Sequence, residues 1–388
     1  MKLYKVTLST GAGYTLTGEP LAGYGTDYTF TLDIAEGYSK TDNFMVDVNG
    51  APMRSKDGVY TVSNVTSDVF VTVFGVADIT PPDAQIEIGT NKFNSFMNRL
   101  TFGLFFKQTQ TVTVTASDKG SGLAKAEYLL SETAFADKDA ITGEWTELSL
   151  ADGAASFDIE PNSKAFVYVR VTDESGNVGV INSDGVVIYT DAGKVTESVT
   201  FVMNTDENVA FMTERNENSI SVIYNGTQKL KIADFTLYTG GMIRLKNSYL
   251  RTLAAGEYTI RVAFDPLGEK YVEREGNDAP ADIAIKLTVE KKTPFIYHVS
   301  SDKKRYDGTT DAQVTFDGSI EGLVEGDDVT IVAGSAAFAD KNAGDAKTVT
   351  FTGFALAGSS AANYTLTAQP ENTVADIFAK ELTIDGLK

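Results

Sequence analysis

The sequence predicts an all-β chain of tandem Greek-key β-sandwich modules in an elongated array. Three observations carry this: apolar residues recur at every second position from end to end, turn pairs punctuate those runs, and three breaks cut the 388 residues into sandwich-sized pieces. Tyr28, Phe30 and Leu32 alternate with threonines, as do Val112, Val114 and Ala116. Val167, Val169 and Val171 share one strand face, with Phe166, Tyr168 and Arg170 on the other. Tyr258, Ile260, Val262 and Phe264 repeat the pattern, and so do Ile283, Ile285, Leu287 and Val289. Between the runs stand Asn49-Gly50, Asp57-Gly58, Ser175-Gly176-Asn177, Asn225-Gly226 and Asp307-Gly308, which favour the left-handed conformations of tight turns.

Helical spacing is confined to two short stretches. Asn94 to Leu100 carries Phe96, Met97 and Leu100, and Asn247 to Leu253 carries Tyr249, Leu250 and Leu253. Each predicts one or two turns that plug a sandwich end. The breaks fall at Ile79-Thr80-Pro81-Pro82-Asp83, at Asp191 to Lys194, and at Glu290 to Pro294. The first is stiff, because proline fixes φ and lacks a donor. Four modules follow: 1–78, 79–191, 192–292 and 293–388, with no common repeat.

Composition narrows the function. The formal charge of −20 sets up a field that repels phosphate backbones and anionic lipid, so neither nucleic acid nor a membrane surface is an expected partner. Without cysteine there are no disulfides, thiolate metal sites or cysteine nucleophiles. No apolar run approaches the roughly 20 residues that span a bilayer. Met1 to Thr10 alternates like a strand and does not read as a signal peptide, so an exported protein would contain this stretch as an internal fragment.

The residues resemble modules of bacterial surface proteins. Leu100-Thr101-Phe102-Gly103-Leu104-Phe105-Phe106-Lys107, then Ala116-Ser117-Asp118-Lys119-Gly120-Ser121-Gly122 and Thr172-Asp173-Glu174-Ser175-Gly176-Asn177, resemble bacterial Ig-like modules of Gram-positive (Firmicute) proteins. Phe235 to Tyr238 and Tyr249 through Thr259 look like X2-type Ig-like modules. Arg305-Tyr306-Asp307-Gly308-Thr309-Thr310 and Phe338-Ala339-Asp340-Lys341-Asn342-Ala343-Gly344, with Asn363-Tyr364-Thr365-Leu366, are similar to the YDG repeats of large adhesins. Residues 1–78 only loosely resemble short repeats of the same proteins. Turn and pairing residues dominate these motifs, so the resemblance implies a fold more than an activity.

Candidate chemistry is sparse, and no catalytic or cofactor-binding residue is assigned. The one histidine, His298, stands alone without a serine elbow or metal partners. The acids fall in turns or on polar strand faces rather than in a sugar-sized cleft. Gly11-Ala12-Gly13 lacks the spacing of a phosphate loop. Hard oxygen ligands from two loops, Asp118 and Ser121 with Asp173, Glu174 and Asn177, are a candidate Ca²⁺ site. The competing reading, which is favoured, closes Asx-turns at Asp118 and Asn177 with no metal. Trp145, Tyr14, Tyr24 and Tyr38 are candidate sugar platforms, against ordinary packing roles. Lys5 in a first strand suits an isopeptide crosslink, but no asparagine in a last strand matches it.

The expectation is therefore a non-enzymatic, monomeric, extracellular array at the cell surface or wall: a stalk, or an adhesin whose partner is a glycan or protein. The alternative is a set of accessory modules, one of them carbohydrate-binding, on a secreted polysaccharide-degrading enzyme. Four modules of roughly 35–40 Å placed end to end make a rod of about 150 Å. Small-angle scattering should then give a radius of gyration of about 43 Å, against about 21 Å for a compact globule of this length. A value in the low twenties sinks the elongated reading.

Overall fold

The computed structural model describes residues 2–203, 205–383 and 386. The chain is an all-β tandem array. Its one α-helix among the described residues is the single turn Asn247–Leu250. None of these residues forms a helix long and apolar enough to cross a membrane. Contacts divide the chain into two compact units: 1–191 with 216–219 and 265–281, and 192–215 with 220–264 and 282–388.

The first unit holds two sandwich cores. In the first core, strands Leu21–Gly23, Leu3–Leu8, Val69–Asp78, Tyr38–Val48 and Ala51–Met53 form one sheet, and Tyr14–Gly18, Tyr28–Ile34 and Val59–Val62 the other. Alternation sorts their side chains: Val69, Val71 and Val73 are buried while Phe70 and Phe74 are exposed. Phe30 stacks on Tyr60, its partner on the neighbouring strand of the second sheet, at 4.9 Å between ring centroids. The hairpin joining Tyr38–Val48 to Ala51–Met53 turns on Asn49 and Gly50, both at positive φ (52° and 87°), as the Asn-Gly pair predicts.

In the second core, Asn91–Phe93, Asp83–Ile88, Gln110–Ser117 and Ala154–Ile159 oppose a sheet ordered Phe102–Phe106, Gly185–Ile188, Ser163–Asp173, Leu123–Ser131, Thr146–Leu148. Strand Ser163–Asp173 is buried on both faces. Val167, Val169 and Val171 enter the sandwich core. Phe166 and Tyr168, on the other face, are covered by Phe96, Leu100, Phe135, Ile141 and Trp145 from two long loops. The predicted helical turn at 94–100 is absent, and that stretch is irregular. The fully buried Asn182 takes Met97's backbone groups instead: Met97 N–H donates to Asn182 Oδ1 and Asn182 Nδ2 donates to Met97 O, both at 2.8 Å. A helical ladder would need those same groups.

The stretch 265–281 also belongs to this unit. Asp278 N–H donates to Phe105 O (2.8 Å), Asn277 Nδ2 donates to Gly103 O, and Phe105 N–H donates to Asn277 Oδ1. This pairs the strap with the edge strand Phe102–Phe106, which would otherwise present open backbone groups. Tyr271 sets its ring edge-on against Phe105, and the buried Tyr189 hydroxyl donates to Asp278 O at 2.7 Å.

The second unit holds the other two cores. In one, Gly193–Lys194, Val209–Glu214, Met242–Leu245 and Phe235–Leu237 face Ser198–Val202, Ile283–Glu290, Gly256–Asp265, Ser219–Asn225 and Gln228–Lys229. The predicted turn after Lys246 is present and buries Tyr249 and Leu250. The last core gathers Phe338, Val349, Phe351, Phe354 and Ile377 around a sheet of Lys304–Arg305, Thr373–Phe378, Gly344–Thr352, Ser335–Phe338 and Asp311–Ala312. Its Asp307-Gly308 loop closes on Lys304, whose ammonium donates to Asp307 Oδ1, Thr309 O and Asp311 O at 2.8–3.0 Å. The Thr309 backbone N–H, followed by the Lys304 ammonium, lowers the Asp307 pKa to about 2.

All four cores share one device. An early strand lies parallel to the last one: Leu3–Leu8 to Val69–Asp78, Phe102–Phe106 to Gly185–Ile188, Ser198–Val202 to Ile283–Glu290, and Lys304–Arg305 to Thr373–Phe378.

Two buried tyrosines in the first unit give opposite expectations for the same substitution. Tyr28 Oη is buried with no hydrogen-bond partner, whereas Tyr189 Oη satisfies Asp278 O. Tyr28→Phe should stabilise the unit by about 1 kcal/mol, and Tyr189→Phe should destabilise it by about 1–2 kcal/mol. Urea melts of the full chain, read as midpoint shifts at constant slope, check both signs.

Candidate functional site

Three strand ends meet in the first unit. Asp78 is the last residue of Val69–Asp78, Asp173 the last of Ser163–Asp173, and Asp118 follows Gln110–Ser117. One carboxylate oxygen of each lies within 4.8 Å of the others. Asp78 and Asp173 are buried, at 5% and 1% exposure.

Hydrogen-bond donors surround this concentration of like charge. Asp78 accepts from Thr80 N–H on one oxygen, and from Ser121 N–H and Oγ–H on the other, at 2.7–3.0 Å. Asp118 accepts from the N–H groups of Gly120 and Gly122. Asp173 accepts from Asn177 N–H and Nδ2. Charge-assisted bonds of this kind are about twice as strong as neutral ones. The Ser121 backbone N–H, then that of Thr80, hold the Asp78 carboxyl below the usual carboxylate range. No cationic side chain pairs with any of the three among the described residues.

The same contacts fasten the proline connector. Asn177 Nδ2 donates to Asp78 O, and Thr80 Oγ1 donates to Gly37 O. Gly37 and Gly120 approach backbone to backbone: a Cβ on Gly37 would strike residues 119–120, and one on Gly120 would strike the Asp78 carboxylate. Lys119 and Glu36 pair at 2.9 Å, but both are exposed and the pair adds little.

Of the predicted oxygen ligands, the structure brings together Asp118, Ser121, Asp173 and Asn177, and leaves Glu174 exposed. Asp118 makes the expected Asx-turn. Asn177 does not, because its side chain spans Asp173 and Asp78 instead. Asp78 escaped the sequence reading, although an Asp two residues before Thr80, ahead of two prolines, is itself an Asx signal.

The other candidates are scattered. Trp145 is half-buried, with the Arg170 guanidinium 4.4 Å from its ring, so that face is closed to a sugar. The Tyr14 hydroxyl pairs with Ser9 Oγ and the Tyr38 ring backs Gly13, while Tyr24 is exposed. Gly13 serves a turn at φ 78°. The Lys5 side chain points outward, away from the core. Exposed His298 meets Asp317 Oδ2 at 3.1 Å and Ser319 Oγ at 3.3 Å.

Residues 290–373 match the YDG domain family. No curated protein matches the sequence. Among solved structures, a titin fragment of three Ig domains aligns at 10% identity over 77% of this chain and 99% of its own, with a TM-score of 0.32. The N-terminal eight Ig domains of Down Syndrome Cell Adhesion Molecule align at 12% identity over 94% of this chain and 48% of theirs, at 0.21. Fibronectin(III)-like modules of Clostridium thermocellum CbhA align at 11% identity over 53% and 94%, at 0.21.

Two measurements test this cluster as a latch. Because the Asp78 pKa is depressed in the fold, its contribution is complete above the unfolded value near ~3.9 and is lost as pH falls through the folded value. Asp78→Asn should therefore lower the melting temperature at pH 7 and flatten the unit's loss of stability below pH 4. Millimolar Ca²⁺ should leave the wild-type midpoint in place, since the N–H and O–H donors already satisfy the carboxylates. A Ca²⁺-induced rise that Asp173→Ala abolishes would instead make the cluster a metal centre.

Proposed function

We propose that the chain is a non-catalytic run of modules within a larger extracellular bacterial protein, acting at the cell surface as a stalk or adhesive array. The observation that carries this reading is strand polarity. Parallel pairing of an early strand with the last one sends the chain into a core at one end and out towards the other. The second core shows it most fully. Its incoming connector is fastened by Asn177, which is itself held by Asp173 at the end of strand Ser163–Asp173, while its last strand leaves past Ser163, which pairs with Ile188. Entry and exit are thus separated by the length of that strand, about 33 Å. Such modules extend a chain rather than fold it back, and a latched connector passes load from one core to the next.

The YDG match over 290–373 and the sequence resemblance to Gram-positive modules support a bacterial surface setting. Antibodies against the chain should label intact cells that make the parent protein; labelling only after lysis would remove the extracellular assignment. Pulled from its two termini, the full chain should yield in successive events. A core of ~80–110 residues should release roughly 280–400 Å of contour. Gly120→Ala, which wedges a methyl against Asp78, should weaken the first unit's events and spare the rest. Extension without resistance would rule out a load-bearing role.

A further inference from the structure

The two loops that cover the outer face of strand Ser163–Asp173 leave a cleft between them of about 520 Å³. Half-buried Phe96 and Met97 give it an apolar floor, and exposed Arg99 and Lys138 stand on its opposite walls. A fully buried polar side chain fixes each wall. Asn182 clamps both backbone groups of Met97, and the Tyr168 hydroxyl accepts from Phe135 N–H at 2.8 Å. Asp137 caps the short turn behind Lys138 by accepting from Asp139 N–H. The loops are therefore preorganised, and a ligand would meet a formed surface.

Charge sets this place apart. The whole chain carries 53 acids against 33 basic residues, yet the cleft presents two cations to one carboxylate, and that carboxylate caps a turn. Neither Arg99 nor Lys138 forms an ion pair among the described residues. We propose that this cleft binds an acidic sugar, a uronate unit of a short oligosaccharide. The C–H face of the pyranose would lie on Phe96 and Met97, and its carboxylate would sit between the guanidinium and the ammonium.

An acidic peptide fits less well. A peptide that binds by adding a strand needs an open edge, and these walls are an irregular loop and a 3₁₀ turn that offer no ladder. The chain's negative field also disfavours long polyanions and anionic membranes, which restricts the ligand to a short one carrying few charges. This goes beyond the spacing role proposed above, which a failure here would leave standing.

The test is calorimetric titration of the full chain with trigalacturonate, with maltotriose and a glutamate-rich decapeptide as comparisons, at physiological salt. Trigalacturonate should bind with a dissociation constant on the order of 1 mM or tighter. Maltotriose should not bind measurably. Arg99→Ala with Lys138→Ala should weaken trigalacturonate at least tenfold at an unchanged melting temperature, since both side chains are exposed. No heat with trigalacturonate, equal affinity in the double variant, or preference for the peptide would each overturn the proposal.

Discussion

Everything else in this chain hangs on the parallel pairing of an early strand with the last one in each core. A hairpin joins neighbours in sequence, but a parallel pair needs a crossover, and here each one joins strands separated by most of its core. Val6 meets Val69, and Val199 meets Leu287. Those contacts join positions 63 and 88 residues apart, so each carries a loop-closure cost that the packing between them offsets. The same pairing sets polarity: parallel partners run the same way, so one end of a core receives the chain and the other releases it. A fold closed by antiparallel terminal strands would return the chain to where it entered.

Ending strands in line creates a second problem, because backbone donors beyond the last ladder bond have no partner. Carboxylates collect them. Asp78 gathers N–H groups from residues 80 and 121, Asp307 that of 309, Asp317 that of 319, Asp328 that of 359 and Asp340 that of 342. The pKa of every one of these acids is held below the ordinary value, with accepted hydrogen bonds as the leading cause. These acids are thus turn construction. Read as a ligand signal, they would mislead.

Alternation and turn chemistry were legible in the residues because both are local. Val167, Val169 and Val171 declare a buried face, and Asn49-Gly50 declares its hairpin. What could not be read was non-local. Asp78 gains its role only when the ends of two strands from the next core arrive beside it. Asn94 to Leu100 shows helical spacing, but the clamp on Met97 comes from Asn182, 85 residues away. The strap at 277–278 is likewise invisible in sequence, because the edge it pairs with lies more than 170 residues earlier.

The cleft follows from a departure from the ordinary rule that a sandwich buries one sheet face and wets the other. Phe166 and Tyr168 place aromatic rings on the outer face of strand Ser163–Asp173, where solvent would normally lie. Covering them takes loops long enough to reach across the sheet, and those loops need anchors because they cross apolar surface without a ladder. The Tyr168 hydroxyl provides one such anchor while its ring is being covered, so a single residue both demands the loop and holds it. Tyr168 holds one loop and Asn182 the other, and the two leave a cleft between them whose rim carries the exposed Arg99 and Lys138. The loops supply this surface without altering the strand pairing of the core beneath them.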